Sequence, residues 1–265
     1  MKITIFTSNQ TRHNYLINIL SSISDECFVV QENKTIFPGL IPGNYSATEA
    51  IKRYFDYVLT AQKKIFGNTY IDGSSKNIKL LSLANEDLNR CSIDFLSDFL
   101  KSDVYIVFGS SYIKGDLVNF LIKNKAINIH MGISPYYRGS DCNFWALYDG
   151  NIHLAGSTVH LLSKGLDSGP ILYHAISEKI ADPFLYTMST VKSAFVSLKN
   201  KLEDNSIFNI KPINQDLSKQ IRYSKSSEFT DEVIHSYFKK KIDLGNSDEL
   251  EMLKDPFVLK KVDYI

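Results

Sequence analysis

The order of apolar and polar positions predicts strands alternating with helices. "KITIF" (2–6) is a short β-branched strand that runs into the polar stretch "TSNQTRH". Leu16, Ile19, Leu20 and Ile23 follow at i, i+3, i+4 and i+7, one face of a helix. "CFVV" (27–30) is a second strand, so β-loop-α-β accounts for the first thirty residues. Pro38, Gly39, Pro42 and Gly43 make 33–47 irregular. "ATEAIKRYFDYVLTAQKKIF" (47–66) reads as a helix ending near Gly67. "VYIVF" (104–108) is a buried strand closed by Gly109, "GDLVNFLIKN" (115–124) a short helix and "AINIH" (126–130) a further strand. "GSTVHLL" (156–162) and "GPILYHAI" (169–176) are two strands joined by a glycine-flanked turn. Asp182 and Pro183 supply an N-cap and a first helical residue. Met188, Val191, Phe195, Leu198 and Leu202 then form one buried stripe. Such alternation implies an α/β fold, a mostly parallel sheet with helices on both faces. The expected organisation is a core over 1–207 and a more polar C-terminal extension over 208–265 that packs on it.

Composition narrows the function. At 265 residues, 44% hydrophobic and 22% charged, the chain is ordinary for a globular protein. The net charge of +1 argues against a nucleic-acid partner, which calls for a basic excess. The run Lys239, Lys240, Lys241 reads as a solvated helix face. Cys27, Cys91 and Cys142 are odd in number and widely spaced, as expected of free thiols in a reducing cytoplasm. The first strand is too short for a signal peptide, and no window approaches the ~20 apolar residues of a membrane span. A cytoplasmic protein with no membrane contact is the expectation.

The candidate chemistry lies in "NIHMGISPYYRG" (128–139). Asn128 and His130 are two apart on a strand and project to the same side. They sit near its carboxyl end, where ligands bind in open α/β sheets. The pair suits proton removal from a nucleophile by the imidazole and hydrogen bonding of an oxyanion by the amide. The pair alone is also compatible with a histidine merely hydrogen-bonded in a turn. Downstream, "GSTVHLLSKGLDSGPIL" (156–172) puts Asp167 in a loop between Gly165 and Gly169. A carboxylate there would face His130 and stabilise its protonated form. "TSNQTRH" has no glycine and so no dinucleotide fingerprint. Its Ser8, Asn9, Thr11 and Arg12 lie beside a helix N-terminus and suit either a phosphate or sugar or a plain capped turn. Arg138 either pairs with a phosphate or braces its turn through a salt bridge, and Phe144 and Trp145 read as core. His153, His160 and His174 do not have metal-ligand spacing, so no metal is expected.

Taken in order, "NIHMGISPYYRG", "FWALYDG" and "GSTVHLLSKGLDSGPIL" resemble the folate-dependent formyltransferases over about 103–176. The resemblance implies a Rossmann-like core. It also implies a catalytic triad in which Asn128 holds the formyl oxygen, His130 takes the proton of an attacking amine and Asp167 orients the imidazolium. The cosubstrate implied is 10-formyltetrahydrofolate. "VFGSSYIKGDL" (107–117) stands where the family binds folate, so Ser111, Tyr112, Ile113 and Lys114, together with Asn128 and Asp167, would line that pocket. Ser8, Asn9, Arg12 and Arg138 are the expected substrate side. One departure is visible: the family usually has His-Pro-Ser, and here Met131-Gly132 follows His130.

Within the family, the tRNA enzyme carries a C-terminal barrel and a basic surface for which this chain lacks room and charge. The purine-pathway enzyme is shorter and lacks the 33–78 insertion. The resemblance is strongest to the sugar N-formyltransferases, whose acceptors are nucleotide-linked amino sugars of surface polysaccharide (lipopolysaccharide, O-antigen) synthesis. A formyltetrahydrofolate hydrolase and an inactive nucleotide-sugar binding module are the alternatives. The first usually carries an N-terminal module, whereas "MKITIF" starts the core directly. The oligomeric state is left open, a homodimer included.

Overall fold

The computed structural model describes residues 1–33, 48–242, 244 and 256–260. The strands are β1 (Lys2–Ser8), β2 (Glu26–Asn33), β3 (Ile78–Ala84), β4 (Val104–Phe108), β5 (Ile127–His130), β6 (Tyr137–Gly139), β7 (Ser157–Leu161), β8 (Ile171–Ser177), β9 (Arg222–Ser224) and β10 (Phe257–Leu259). The helices are α1 (Thr11–Ser21), α2 (Glu49–Phe66), α3 (Gly115–Lys123), α4 (Cys142–Tyr148), α5 (Pro183–Glu203) and α6 (Asp231–Lys239). Eight strands form one sheet in the order β10-β8-β7-β5-β4-β1-β2-β3, and β6 pairs with β9 apart from it. The pairs from β3 to β5 are parallel, and β7 runs antiparallel to both of its neighbours. This is the α/β, Rossmann-like, mostly parallel sheet that the strand–helix alternation predicted.

Alternate residues of a strand face opposite sides. Ile3 and Ile5 with Val104, Ile106 and Phe108 enter one apolar cluster. Phe6 with Tyr105 and Val107 enters the other. Strands covered on both faces read as continuous apolar runs, and all five residues of "VYIVF" are buried. The stripe Met188, Val191, Phe195, Leu198 and Leu202 on α5 is buried as expected. Its N-cap Asp182 accepts from the amides of Phe184 (2.8 Å) and Leu185 (3.0 Å).

One helix was read too long, although all four residues of its predicted face are buried or packed against the core. α1 stops at Ser21, so Ile23 lies outside it, and the buried side chains include Leu16, Ile17 and Leu20. Ser21 and Ser22 turn their hydroxyls onto the carbonyls of Asn18 (2.9 Å) and Ile19 (2.9 Å). Such local hydroxyl bonds compete with helix continuation. The irregular segment expected at 33–47 lies, after Asn33, outside the described residues. The pattern also did not predict β3, β6, β9, β10, α4 or α6. In the C-terminal part, β9 pairs with β6, β10 takes the sheet edge beside β8, and Ile213 bridges Ile171.

Candidate functional site

The site forms where β5 ends between β4 and β7. Antiparallel register sets Asn128 opposite His160 and His130 opposite Thr158. The His160 Nδ1 lies 2.8 Å from the Leu161 carbonyl, and its Nε2 lies 3.0 Å from Asn128 Nδ2. With Nδ1 donating to the carbonyl, Nε2 accepts from the amide and fixes its rotamer. Burial pushes the His160 pKa down to about 4, which keeps this ring neutral and able to accept.

The loop after β7 brings in the acid. Asp167 takes φ 47°, in the left-handed region, and its Oδ1 stands 3.3 Å from His130 Nδ1 and 3.5 Å from Asn128 Nδ2. His130 Nε2 lies 3.3 Å from the Tyr137 carbonyl. The glycine of the Met131-Gly132 departure has a physical reason. A Cβ at Gly132 would stand 2.6 Å from His130 Nε2 and 2.5 Å from Cys142 Cβ. The imidazole rests against the place where any other residue would put a side chain.

Two cavities meet at His130. The first, about 300 Å³, lies between the turn at 109–113 and the loop at 163–167. Asn128, His130 and Asp167 are on its wall, as are Ser111, Tyr112 and Ile113. The Tyr112 hydroxyl donates to the Lys164 carbonyl and so ties turn to loop. Lys114 is not on this wall: its amide donates to Asn89 Oδ1 (2.8 Å), and its ammonium lies 5.8 Å from the Tyr112 ring. The second cavity, about 210 Å³, is walled by aromatic residues from four helices, among them Tyr54, Phe144, Phe184 and Tyr237. His130, Met131, Gly139 and Arg12 line both.

The expected substrate residues divide. Arg12 reaches both cavities and donates through Nη1 to the side-chain oxygens of Gln10 and Gln62. Its Nε has no hydrogen-bond partner, and among the described residues no carboxylate pairs with it. Burial lowers its pKa to about 10, still charged at neutral pH. Ser8 is buried, with its hydroxyl 3.5 Å from Asn9 Oδ1, and neither residue lines the two cavities. Arg138 braces the loop, though not by a salt bridge. Its guanidinium donates to the Leu166 carbonyl (2.7 Å) and to Gln220 Oε1 (3.1 Å). Phe144 and Trp145 are core, and the Arg222 guanidinium lies 3.6 Å from the centre of the Trp145 ring. Among the described residues, no three His, Cys, Asp or Glu side chains converge as a metal site would require.

Sequence reasoning missed two residues beside this site. Cys142 lines the second cavity, with its thiol 3.5 Å from the Gly139 carbonyl. Glu32, fully buried at the carboxyl end of β2, backs the first. The sequence marks Glu32 only as a carboxylate two residues past the apolar run of β2, which says nothing of its partners.

The formyl transferase family model matches residues 58–202, more than half of the chain and the whole of this site's β4–β8 frame. The chain belongs to the formyl transferase family. Among curated relatives, methionyl-tRNA formyltransferase from Trichodesmium erythraeum is 25% identical over 154 residues, 52% of this chain and 45% of that protein. The chain thus spans less than half the length of that relative. Among solved structures, a sugar N-formyltransferase from a Shewanella species superposes with a TM-score of 0.53 at 17% identity, covering 86% of this chain and 78% of the other. Phosphoribosylglycinamide formyltransferase from Anaplasma phagocytophilum gives 0.53 at 16% identity, over 98% of both chains. Formyl transferases named for two different acceptors therefore share this fold.

Proposed function

We propose that the chain transfers a formyl group from 10-formyltetrahydrofolate to the primary amine of a nucleotide-linked amino sugar. The observation that carries this reading is the junction of two cavities at His130, one beside the 109–113 turn and one with aromatic walls. The family uses formyltetrahydrofolate, and the first cavity suits a flat heterocycle: peptide edges of the turn on one side and the apolar Ile113, Val118 and Leu162 behind. The donor supplies the one-carbon group there. Asn128 keeps one Nδ2 hydrogen on His160 and turns the other, which lies at a long 3.5 Å from Asp167 Oδ1, to the formyl oxygen as that oxygen gains charge. His130 takes the proton of the amine arriving from the second cavity as the new C–N bond forms; the bond from the formyl carbon to N10 of the donor then breaks, and N10 takes that proton from His130 as tetrahydrofolate leaves. Asp167 holds the ring through Nδ1 and balances the imidazolium that forms.

The acceptor class rests on the second cavity. Tyr54, Phe144, Phe184 and Tyr237 give it an aromatic wall that suits a sugar or base, and Arg12, a guanidinium on both cavity walls with no carboxylate partner among the described residues, suits a phosphate. A sugar N-formyltransferase stands among the structural neighbours. On this reading 1–207 is the catalytic core, and 208–265 shapes the acceptor side through Tyr237 of α6. The product belongs to surface-glycan synthesis in the cytoplasm. Among the described residues no helix is long and apolar enough to cross a membrane.

The test is incubation with 10-formyltetrahydrofolate and a panel of nucleotide amino sugars, read by mass spectrometry. One added formyl group on a sugar supports the proposal. Formate released without an acceptor makes the protein a hydrolase, and no turnover at all leaves a binding module.

A further inference from the structure

Three hydrogen-bond donors converge on the buried carboxylate of Glu32. The Ser111 amide donates to Oε2 at 2.6 Å, the Ser111 hydroxyl to Oε1 at 2.9 Å and the Glu86 amide to Oε1 at 2.8 Å. Glu32 is 0% exposed, and among the described residues no cation pairs with it. Burying an unpaired carboxylate is costly unless donors replace its water. Only an ionised carboxylate offers acceptors on both oxygens and no donor of its own. A second clamp lies beside it. Asn89 donates to the Tyr112 carbonyl at 3.0 Å and accepts from the Lys114 amide at 2.8 Å.

These contacts sort the peptide groups of the 109–114 turn. The Ser111 amide, the Tyr112 carbonyl and the Lys114 amide are taken up by side chains of other elements. The turn's remaining polar edge is thereby held in one orientation along the first cavity, which Ser110, Ser111, Tyr112 and Ile113 line. Tyr112 fixes the same turn from the front through Lys164. A ligand that hydrogen-bonds peptide groups gains affinity when they do not have to be ordered on binding.

We infer that Glu32, seconded by Asn89, is a positioning residue for the formyl donor: it touches neither the donor nor the acceptor and sets the peptide edge that the donor's heterocycle meets. The inference rests on the proposal that the first cavity holds the folate. In Glu32→Gln, one end of the side chain becomes a donor, so the Ser111 or the Glu86 amide faces another N–H.

The experiment is calorimetric titration of wild type, Glu32→Gln and Asn89→Ala with 5-formyltetrahydrofolate, an unreactive analogue of the donor. Steady-state kinetics with the acceptor found in the panel accompany it. A charge-assisted bond lost at the turn should weaken folate binding by roughly 10-fold or more in Glu32→Gln, and by a few-fold in Asn89→Ala. KM for the donor should rise in step, while kcat at saturating donor and KM for the acceptor stay near wild type. A fold-wide defect would move all three. Folate affinity equal to wild type in Glu32→Gln overturns the inference and leaves the functional proposal standing. If Glu32→Gln does not fold, unchanged affinity in Asn89→Ala, a substitution at an exposed side chain, overturns it instead. A wild-type protein that binds no reduced folate overturns both.

Discussion

At the scale of single residues, the site depends on which atoms are already engaged. Asn128 Nδ2 is shared between His160 Nε2 and Asp167 Oδ1, and His130 Nδ1 faces the same carboxylate oxygen. Replacing Asn128 or His130 by alanine removes an oxyanion donor or the base. Each should lower turnover by about 10²–10³ while circular dichroism stays that of wild type. Near-normal turnover in either variant would take that residue out of the mechanism. Asn128 and His130 were legible in the sequence because two positions on one strand must share a face. Asp167 was legible as a carboxylate in a glycine-flanked loop, and the family motif around it gave it a role. Glu32 was not, since its partners Glu86 and Ser111 lie 54 and 79 positions away. Nothing local in "VVQENK" says that this carboxylate meets two amides. Gly132 could be seen as a departure, but only the position of the His130 ring explains why a side chain is excluded there.

Elements were legible where burial gave them a clean period. α2, β4 and α5 carry such patterns and fall where the pattern put them. β3 escaped because, as the edge strand, it exposes much of "IKLLSLA", with Leu80 nearly half exposed. β6 and β9, three residues each, are too short to show any period. End signals marked boundaries better than periodicity did: Asp182-Pro183 starts α5 as read, whereas the serines after Leu20 ended α1 before its predicted face did. The Asp182 cap supports a helix whose first turns carry Phe184, Thr187 and Met188 into the second cavity. Asp182→Ala should cost about 1 kcal/mol in urea denaturation, the usual worth of an N-cap, and no change in the midpoint would deny the cap any energetic role.

For the molecule as a whole, two buried histidines couple stability to pH. Burial pushes both His160 and His174 down to about 4. His174 faces the Ser134 carbonyl through Nε2 at 3.0 Å and leaves Nδ1 without a partner. In the unfolded chain each ring titrates near its ordinary value of about 6.5. Between those values the unfolded state binds more protons, so the stabilisation is complete above about pH 6.5 and lost as the pH falls. From pH 6.5 to 5 each ring should weaken folding by about 2 kcal/mol. His174→Gln should remove one share of that slope, measured as unfolding free energy by denaturant titration at each pH. A stability that is flat over this interval would show that neither ring is protonated on unfolding.

The thiol of Cys142 has a consequence for the order of events. It is the one thiol on the walls of the two cavities among the described residues. Burial first, then the charges of Asp167 and Asp141, keep it protonated well above the ordinary thiol range. A thiol in that state is a poor nucleophile. The one-carbon unit therefore has no sulfur on which to wait while one partner leaves and the other enters. On the proposed reading, with His130 as base and not as carrier of the formyl group, both partners bind before transfer: double-reciprocal plots for the two substrates should intersect, and parallel lines would overturn it.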